Sequence, residues 1–188
     1  MNSWLRWIGV FLLLVIGSAC VKAPTLDVQE GWQKSSELLV IDGWGFYGRM
    51  LIRSDEVVNA NISWRHESQR DELSLFGLLG LGKKKIVVDS NGISLDEGGG
   101  ERLYSQNVDE FIAQKLGFLV PITALRQWVL GRPLNSVAVT KIDGGFEQLG
   151  WQVMADRYKL TALGVLPHKL KVSKNNIKLI LIIDRWEK

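Results

Sequence analysis

VVNANISWR, the sequence of Val57–Arg65, is the clearest strand pattern in this chain. Its apolar residues Val58, Ala60, Ile62 and Trp64 occupy alternate positions, and polar residues fill the positions between them. Successive side chains of a β-strand point to opposite faces of the sheet, so this alternation predicts a strand with one buried and one solvated face. The chain therefore contains a sheet that covers a core.

The two-residue period continues on both sides of this strand. In Gly43–Ile52, the residues Trp44, Phe46, Met50 and Ile52 share one face. Further strands are predicted at Asp71–Phe76, Lys84–Asp89, Gly92–Glu97, Val137–Ile142, Phe146–Met154, Lys169–Ser173 and Ile177–Ile183. The early strands lie too close together for crossover helices between them, which predicts an antiparallel sheet.

Three segments have the period of a helix instead. Leu26–Leu39 is weakly amphipathic, Asn107 can cap a helix that ends near Gly117, and Pro121 opens another that ends near Gly131. A long antiparallel sheet tends to curl, so the two inserted helices can cover its concave face. The residue pattern leaves open whether a packed core or a pocket lies beneath them.

The first twenty residues have the pattern of a secretory signal that ends at a cysteine. Arg6 supplies positive charge, Trp7–Ile16 is an apolar run, and small residues lead to Cys20, the only cysteine in the chain. A thiol at this position can take up a diacylglyceryl group. The alternatives are a plain signal peptide and an uncleaved membrane anchor, although the apolar run is about half of the roughly 20 residues that a spanning helix needs.

This signal predicts three segments: a lipoprotein signal peptide at 1–19, a lipidated tether at 20–25 and a single domain at 26–188. Gly17 stands where bacterial lipoprotein signals usually carry an aliphatic residue. Val21 follows the cysteine where an aspartate commonly marks retention in the inner membrane. By resemblance to such signals, the chain is expected on the periplasmic face of the outer membrane of a Gram-negative bacterium.

The sequence lacks the side-chain patterns of the common enzyme classes. It has no recognisable catalytic pair of carboxylates, no nucleophile motif and no metal-ligand spacing, so we expect neither an enzyme nor a cofactor. His66 and His168 each adjoin polar or lysine-rich stretches and are expected on the solvated surface. The net charge of +3 on 188 residues does not indicate a nucleic-acid partner.

The most unusual loop begins at Gly77 with the sequence GLLGLGKK. It matches most of a phosphate-binding loop, but Lys84 replaces the required hydroxyl residue and a strand follows instead of a helix. Its leucines would be exposed at a turn unless the loop folds back onto the core. The alternative is a membrane-inserting loop whose lysines reach lipid headgroups. The inserting residues would be Gly77, Leu78, Leu79, Gly80 and Leu81, and the headgroup contacts Lys83, Lys84 and Lys85.

Several short motifs occur in order along the chain after the signal. They are Trp44 with Gly48-Arg49, Trp64, the turn Gly77-Leu78-Leu79-Gly80, Leu116-Gly117, Pro121, Leu125, Trp128, Gly131, Pro133, Gln148-Leu149-Gly150-Trp151, Leu166-Pro167 and Trp186. In this order and spacing they resemble the LolB family of outer-membrane lipoprotein receptors. The similarity spans essentially the whole chain that follows the signal.

This resemblance implies a mainly β fold with inserted helices: an unclosed antiparallel β-barrel whose helices cover an apolar cavity for acyl chains. It also implies a protruding loop with an exposed leucine, which Leu79 matches. Members often have proline at the position of Leu78, and the Leu81-Gly82 extension with its lysines is unusual.

The implied function is to accept lipoproteins from a LolA-like periplasmic carrier and insert them into outer-membrane phospholipid, with the chain acting as a monomer. Candidate cavity residues, chosen by strand or helix face, are Trp44, Phe46, Ile62, Trp64, Leu125, Trp128 and Trp151. Arg49 is a candidate for a hydrogen bond to a helical lid or to the ligand, with a structural role as the alternative. The alternative function is an anchored structural or assembly lipoprotein whose leucine loop docks a protein partner.

Overall fold

Eleven antiparallel strands form the main sheet in a computed structural model, which describes residues 43–77, 82–116 and 120–188. The strands of this sheet are β1 (Gly43–Arg53), β2 (Val57–Glu67), β3 (Arg70–Phe76), β4 (Lys84–Asp89), β5 (Gly92–Asp96), β6 (Arg102–Ser105), β7 (Thr140–Ile142), β8 (Gly145–Gln148), β9 (Trp151–Asp156), β12 (Lys169–Lys174) and β13 (Ile177–Glu187). A separate hairpin consists of β10 (Lys159–Thr161) and β11 (Gly164–Leu166).

The strand order is β6-β5-β4-β3-β2-β1-β13-β12-β9-β8-β7. Strands β6 and β7 are the two edges and do not pair with each other within the described residues, so the sheet stays open. Strand β13 pairs with β1, so the first and last strands of the described residues lie side by side in the centre of the sheet. The predicted fold class, mainly β with an unclosed antiparallel sheet, is confirmed.

Two short helices interrupt the strand sequence, α1 at Val108–Leu116 and α2 at Ile122–Trp128. The predicted cap of α1 is present: the backbone N–H of Glu110 donates to Asn107 Oδ1 at 3.3 Å, and Asn107 Nδ2 donates back to the Glu110 carboxylate at 2.8 Å. The predicted helix at Leu26–Leu39 lies outside the described residues.

Gly48 allows β1 and β13 to approach closely at an irregularity in their register. The register shifts between Tyr47 and Gly48, and a Cβ on Gly48 would lie 2.2 Å from the backbone oxygen of Ile182. No side chain fits there without moving the partner strand. Such bulges bend a strand and increase its twist, which helps a long sheet to curl.

One predicted strand, Phe146–Met154, is wrong in detail. The chain turns at Leu149 and Gly150, where both residues have positive φ (56° and 73°), and forms β8 and β9 as a tight hairpin. Leucine rarely adopts this conformation, so Gly150 was the only turn signal in this segment. Three short strands, β6, β10 and β11, were not predicted at all.

Candidate functional site

An apolar cavity lies between the concave face of the sheet and the two helices. Strands β1, β2, β3, β4 and β13 form its floor, and helix α2 covers it with Ile122 and Leu125. The lining side chains are all apolar: Met50, Ile52, Ile62, Trp64, Leu73, Leu75, Ile86, Ile112, Val120, Ile122, Leu125, Leu179 and Leu181. Such a lining excludes polar ligands, because a buried polar group without a partner is costly.

The cavity volume is about 40 Å³ in this conformation. An engineered cavity that binds benzene measures about 150 Å³, and most ligand pockets measure about 300–1,000 Å³. The interior is therefore nearly filled, and a long hydrocarbon chain fits only if part of the lining moves. The floor strands are paired on both sides, so the covering helices are the parts that can move with the fewest broken hydrogen bonds.

A charged pair ties α2 to the sheet. Asp71 on β3 is fully buried (0% exposed), and Arg126 on α2 forms an ion pair with its Oδ2 atom. Trp64 Nε1 donates to the other oxygen at 3.0 Å, and Nδ1 of His66 lies 2.8 Å from that same atom. A buried carboxylate needs this many partners to offset its lost hydration, so the position of α2 depends on this cluster.

The far end of α2 is fixed by a neutral side chain. Trp128 Nε1 donates to Gln148 Oε1 at 3.0 Å, and the backbone N–H of Leu134 donates to the same oxygen at 2.8 Å. Gln148 Nε2 donates to the backbone oxygens of Leu134 and Val137, both at 2.9 Å. Gln148 is almost completely buried and uses both ends of its amide, so it anchors the segment after α2 to β8.

The interior has a second half that is filled by rings. We call it the aromatic half and define it by Trp44, Phe46, Trp64, His66 and Trp186. The ring centroids of neighbouring pairs lie 5.2 to 6.1 Å apart, in edge-on, tilted and stacked arrangements. Trp186 Nε1 also donates to the backbone oxygen of Pro167 at 3.0 Å, which fixes one ring of the group.

The aliphatic cavity makes up the other half of the interior, which we call the aliphatic half. Its floor residues Met50 and Ile52 lie on β1 beyond the bulge at Gly48, whereas Trp44 and Phe46 lie before it. The two halves therefore occupy opposite ends of the same strands.

The predicted cavity residues are all buried, but they fall into three groups. Ile62, Trp64 and Leu125 line the cavity, and Trp64 also belongs to the aromatic half, so it lies at the boundary between the two. Trp44 and Phe46 belong to the aromatic half. Trp128 and Trp151 form a separate pair with ring centroids 6.5 Å apart, and neither is among the cavity-lining residues.

Arg49, the predicted lid contact, lies on the outer face of β1. Its guanidinium forms an ion pair with Asp184 at 2.9 Å, and both side chains are more than half exposed. The arginine that ties a helix to the sheet is Arg126. The sequence analysis did not identify Arg126, Asp71 or Gln148 as site residues. The one available signal was that Asp71 lies on the inward face of β3, which predicts a buried carboxylate.

The three lysines after the leucine loop have different partners. Lys84 pairs with Glu97 at 2.6 Å, and this contact lowers the pKa of Glu97. Lys85 pairs with Glu72 at 3.2 Å, whereas the Lys83 ammonium lies 5.3 Å from the centre of the Phe76 ring. Gly77 directly follows β3. Leu78, Leu79, Gly80, Leu81 and Cys20 lie outside the described residues.

Both histidine predictions are wrong. His66 is partly buried against Asp71, and Nδ1 of His168 lies 2.8 Å from the backbone oxygen of Ile183. Burial lowers the pKa of His168. For His66 the polar neighbours Arg65 and Glu67 misled the prediction, because in β2 they point to the opposite face of the sheet. Within the same described ranges, no group of metal-ligating side chains occurs and no helix is long and apolar enough to cross a membrane.

The fold is similar to that of a solved structure. A LolA superfamily protein from Nitrosomonas europaea superimposes with a TM-score of 0.50, over 88% of this chain and 94% of that protein, at 8% sequence identity. The likeness at such low identity concerns the fold: an open antiparallel sheet with helices over its concave face.

Sequence comparison then gives the family. The profile of the outer membrane lipoprotein LolB family matches residues 42–186. The outer-membrane lipoprotein LolB of Thiobacillus denitrificans is 31% identical over 78% of this chain and 81% of its own. That of Nitrosococcus oceani is 25% identical over 98% of each chain. The chain belongs to the LolB family of outer-membrane lipoproteins, which confirms the resemblance and the predicted location.

Proposed function

We propose that this chain is an outer-membrane-anchored receptor that takes the acyl chains of lipoproteins from a LolA-like periplasmic carrier and passes them into the inner leaflet of the outer membrane. The observation that carries the proposal is the cavity between the sheet and α2, whose lining is entirely apolar. Transfer of hydrocarbon from one such cavity to another needs no nucleotide. A difference of about 1.4 kcal/mol in binding free energy shifts the partition tenfold.

Acyl chains enter the aliphatic half in this proposal, because its lining is entirely apolar, whereas the open pocket beside Trp44 and His66 is also lined by the charged residues Arg65 and Glu67. Helix α2 moves outward to make space, and the Arg126–Asp71 ion pair is the contact that it breaks. The Trp128–Gln148 hydrogen bond stays in place and serves as the pivot. Each methylene that leaves water contributes about 0.8 kcal/mol, so one long chain offsets the loss of a single ion pair.

Membrane delivery is the role proposed for Leu79 and its neighbours, and anchoring is the role proposed for Cys20. Among the headgroup candidates, Lys83 fits best, since Lys84 and Lys85 are already paired with carboxylates. Leucines followed in sequence by a lysine suit the boundary between headgroups and acyl chains.

Acceptance is tested by mixing the purified carrier, loaded with a lipoprotein labelled on its acyl chains, with this chain in the absence of vesicles. We expect saturable transfer that a fluorescent fatty acid inhibits by competition. The small volume of the cavity favours the alternative of a structural lipoprotein with a solid interior. Absence of saturable uptake of either ligand would support that alternative and overturn the proposal.

Delivery is tested by adding vesicles to the loaded receptor. Leu79→Glu is expected to accept lipoprotein normally but to deliver almost none, because a carboxylate opposes entry into the bilayer. Leu160→Glu, at the highly exposed leucine of β10, is the matched control and should deliver normally. Normal delivery by a folded Leu79→Glu chain would refute the loop assignment.

Anchoring is tested with Cys20→Ala. This variant is expected to retain acceptance in solution and to lose its place in the outer membrane fraction. Loss of acceptance by the unanchored chain would mean that the cavity does not act independently of the lipid.

A further inference from the structure

Three turns lie together at the end of the sheet that adjoins the aliphatic half. They connect β1 to β2, β8 to β9 and β12 to β13. Asn176 Nδ2 donates to Asp55 Oδ1 at 3.1 Å, and Lys174 Nζ donates to the backbone oxygen of Leu149 at 3.1 Å. These hydrogen bonds join the turns into one surface, which we call the rim: Arg53–Val58, Leu149–Gly150 and Lys174–Ile177.

The rim exposes three apolar side chains. Val57 is 56% exposed, Leu149 is 45% exposed, and Val58 is also exposed. Val58 lies at a position where the alternation of β2 predicts an inward side chain, so its exposure departs from the pattern of the strand. Single exposed apolar residues are common on protein surfaces, but here they occur in the two outer turns of three that are linked by hydrogen bonds at one end of the sheet.

Leu149 occupies a conformation that is unfavourable for leucine. Four non-glycine residues among those described have positive φ, and the other three are Ser68, Arg157 and Asn175, which are polar. Asparagine or glycine would suit this turn better. Leu149 is not among the residues that form the core or pack against it, and its backbone conformation disfavours leucine. A contact outside the chain would account for an apolar side chain at this position.

Basic side chains accompany these apolar residues. Arg53, Lys174 and Lys178 are exposed at this end of the sheet, and Lys83 directly precedes β4, which begins at the same end. Asp55 accepts the hydrogen bond from Asn176, and Glu56 is the remaining acid of the first turn. Apolar groups interleaved with long cationic side chains match the interface of a membrane that contains anionic phospholipids.

We propose that the rim is a second membrane contact, in which Leu149, Val57 and Val58 enter the interface and Arg53 and Lys174 contact phosphate groups. The inference rests on the proposed function. The rim would act together with the leucine loop that is proposed to enter the membrane. Strand β3 ends and β4 begins at the same end of the sheet as the rim. The receptor would then stand with its aliphatic half against the bilayer while it delivers acyl chains.

The decisive variant is Leu149→Asn. If Leu149 contacts the membrane, the variant should be more stable but deliver less lipoprotein; if Leu149 has a structural role, the variant should be less stable. Asparagine relieves the backbone strain, so we expect the melting temperature to rise by roughly 2–3 °C. Delivery of lipoprotein to vesicles of phosphatidylethanolamine and phosphatidylglycerol should fall roughly fivefold, since an apolar anchor is lost. Acceptance from the carrier should not change.

Leu160→Asn is the matched control. Leu160 is more exposed, at 81%, but lies on β10 in the hairpin at the opposite end of the sheet. It should alter neither delivery nor acceptance. Normal delivery by Leu149→Asn would overturn the proposal, and so would a loss of acceptance, which would assign the rim to the carrier instead.

A second measurement does not depend on lipoprotein transfer and so separates this inference from the proposed function. Leu149→Cys and Leu160→Cys are labelled with an environment-sensitive fluorophore in the lipid-anchored chain, with the parent chain as a control for labelling at Cys20. Spin-labelled lipids should quench the label at position 149 about twofold or more and leave that at position 160 unchanged. Equal quenching at both positions would overturn the rim contact even if transfer proceeds normally.

Discussion

The aromatic half and the aliphatic half are built on the same strands, yet they are filled in different ways. In the aromatic half, Trp44, Phe46 and Trp186 contact one another through flat rings in fixed relative orientations. In the aliphatic half, Met50, Leu73 and similar side chains surround residual space under a short helix. Rings have few rotamers, whereas methionine and leucine readjust at little cost. One half is therefore rigid and the other adaptable.

This difference indicates where a ligand can be accommodated. An acyl chain has no fixed shape, so an adaptable aliphatic lining suits it better than a set of interlocked rings. The Arg126–Asp71 pair lies where the halves meet, because Asp71 also accepts from Trp64 of the aromatic half. Asp71, which is held by the rigid half, is therefore the residue to which α2, the helix over the adaptable half, is attached.

The largest difference between the halves is expected from truncation of their side chains. Phe46→Ala should reduce the free energy of unfolding by about 4 kcal/mol, because the surrounding rings cannot collapse into the space that is left. Leu73→Ala should cost about 2 kcal/mol, since the lining of the aliphatic half can readjust. Urea denaturation of both variants measures the difference. Equal losses would mean that the two halves are packed alike.

The contact between the halves should give the next largest effect. Arg126→Gln leaves the buried Asp71 carboxylate without its cation and should cost about 3 kcal/mol. The substitution should also speed amide hydrogen exchange in α2, because the helix loses the ion pair that connects it to the rigid half. Arg70→Gln is the control: its ion pairs with Glu72 and Asp89 are exposed, so the loss should stay below about 1 kcal/mol. Unchanged exchange in α2 would remove the ion pair from the opening mechanism.

The sequence predicted the parts of this architecture that depend on periodicity. Alternation located β1 and β2 and identified Trp44, Phe46, Ile62 and Trp64 as inward residues, and all four are buried. The cap of α1 was also predictable, because the hydrogen bonds of Asn107 and Glu110 join residues three apart in sequence.

The division of the interior was not predictable in this way. Alternation gives the face of a strand on which a residue lies, but not its depth along the curled sheet, so Trp128 and Trp151 were grouped with residues that they do not join. The Arg126–Asp71 pair joins residues that are 55 positions apart, and no local pattern indicates such a contact. The turn at Leu149 was missed because leucine is not a turn residue.

Filling the aliphatic half should have a small effect on stability and a large effect on binding. Leu125→Phe adds volume to the inner face of α2 and should cost only about 1 kcal/mol, because existing space and readjustment of the helix absorb part of the ring. Binding of a fluorescent fatty acid should weaken roughly tenfold, since the ring occupies the space that the chain needs. Leu160→Phe makes the same substitution on the surface and should change neither quantity. Unaltered binding by Leu125→Phe would place the acyl chains elsewhere.

The smallest expected effect is a pH dependence that arises next to the aromatic half, at His168. His168 follows Pro167, the acceptor of the Trp186 hydrogen bond, and burial lowers its pKa below the ordinary value in spite of its hydrogen bond to the backbone oxygen of Ile183. The folded chain therefore binds a proton here less readily than the unfolded chain. Its free energy of unfolding should fall as the pH drops below about 6.5 and through the lower folded-state pKa. His168→Gln should remove this part of the pH dependence, as measured by urea denaturation at about pH 7.5 and about pH 5.5.

Binding of a fluorescent fatty acid should be much less sensitive to the same pH change, because no histidine lines the aliphatic cavity within the described residues. If binding follows the titration of His168, the halves are coupled more tightly than their packing indicates, and the rigid half takes part in opening the other.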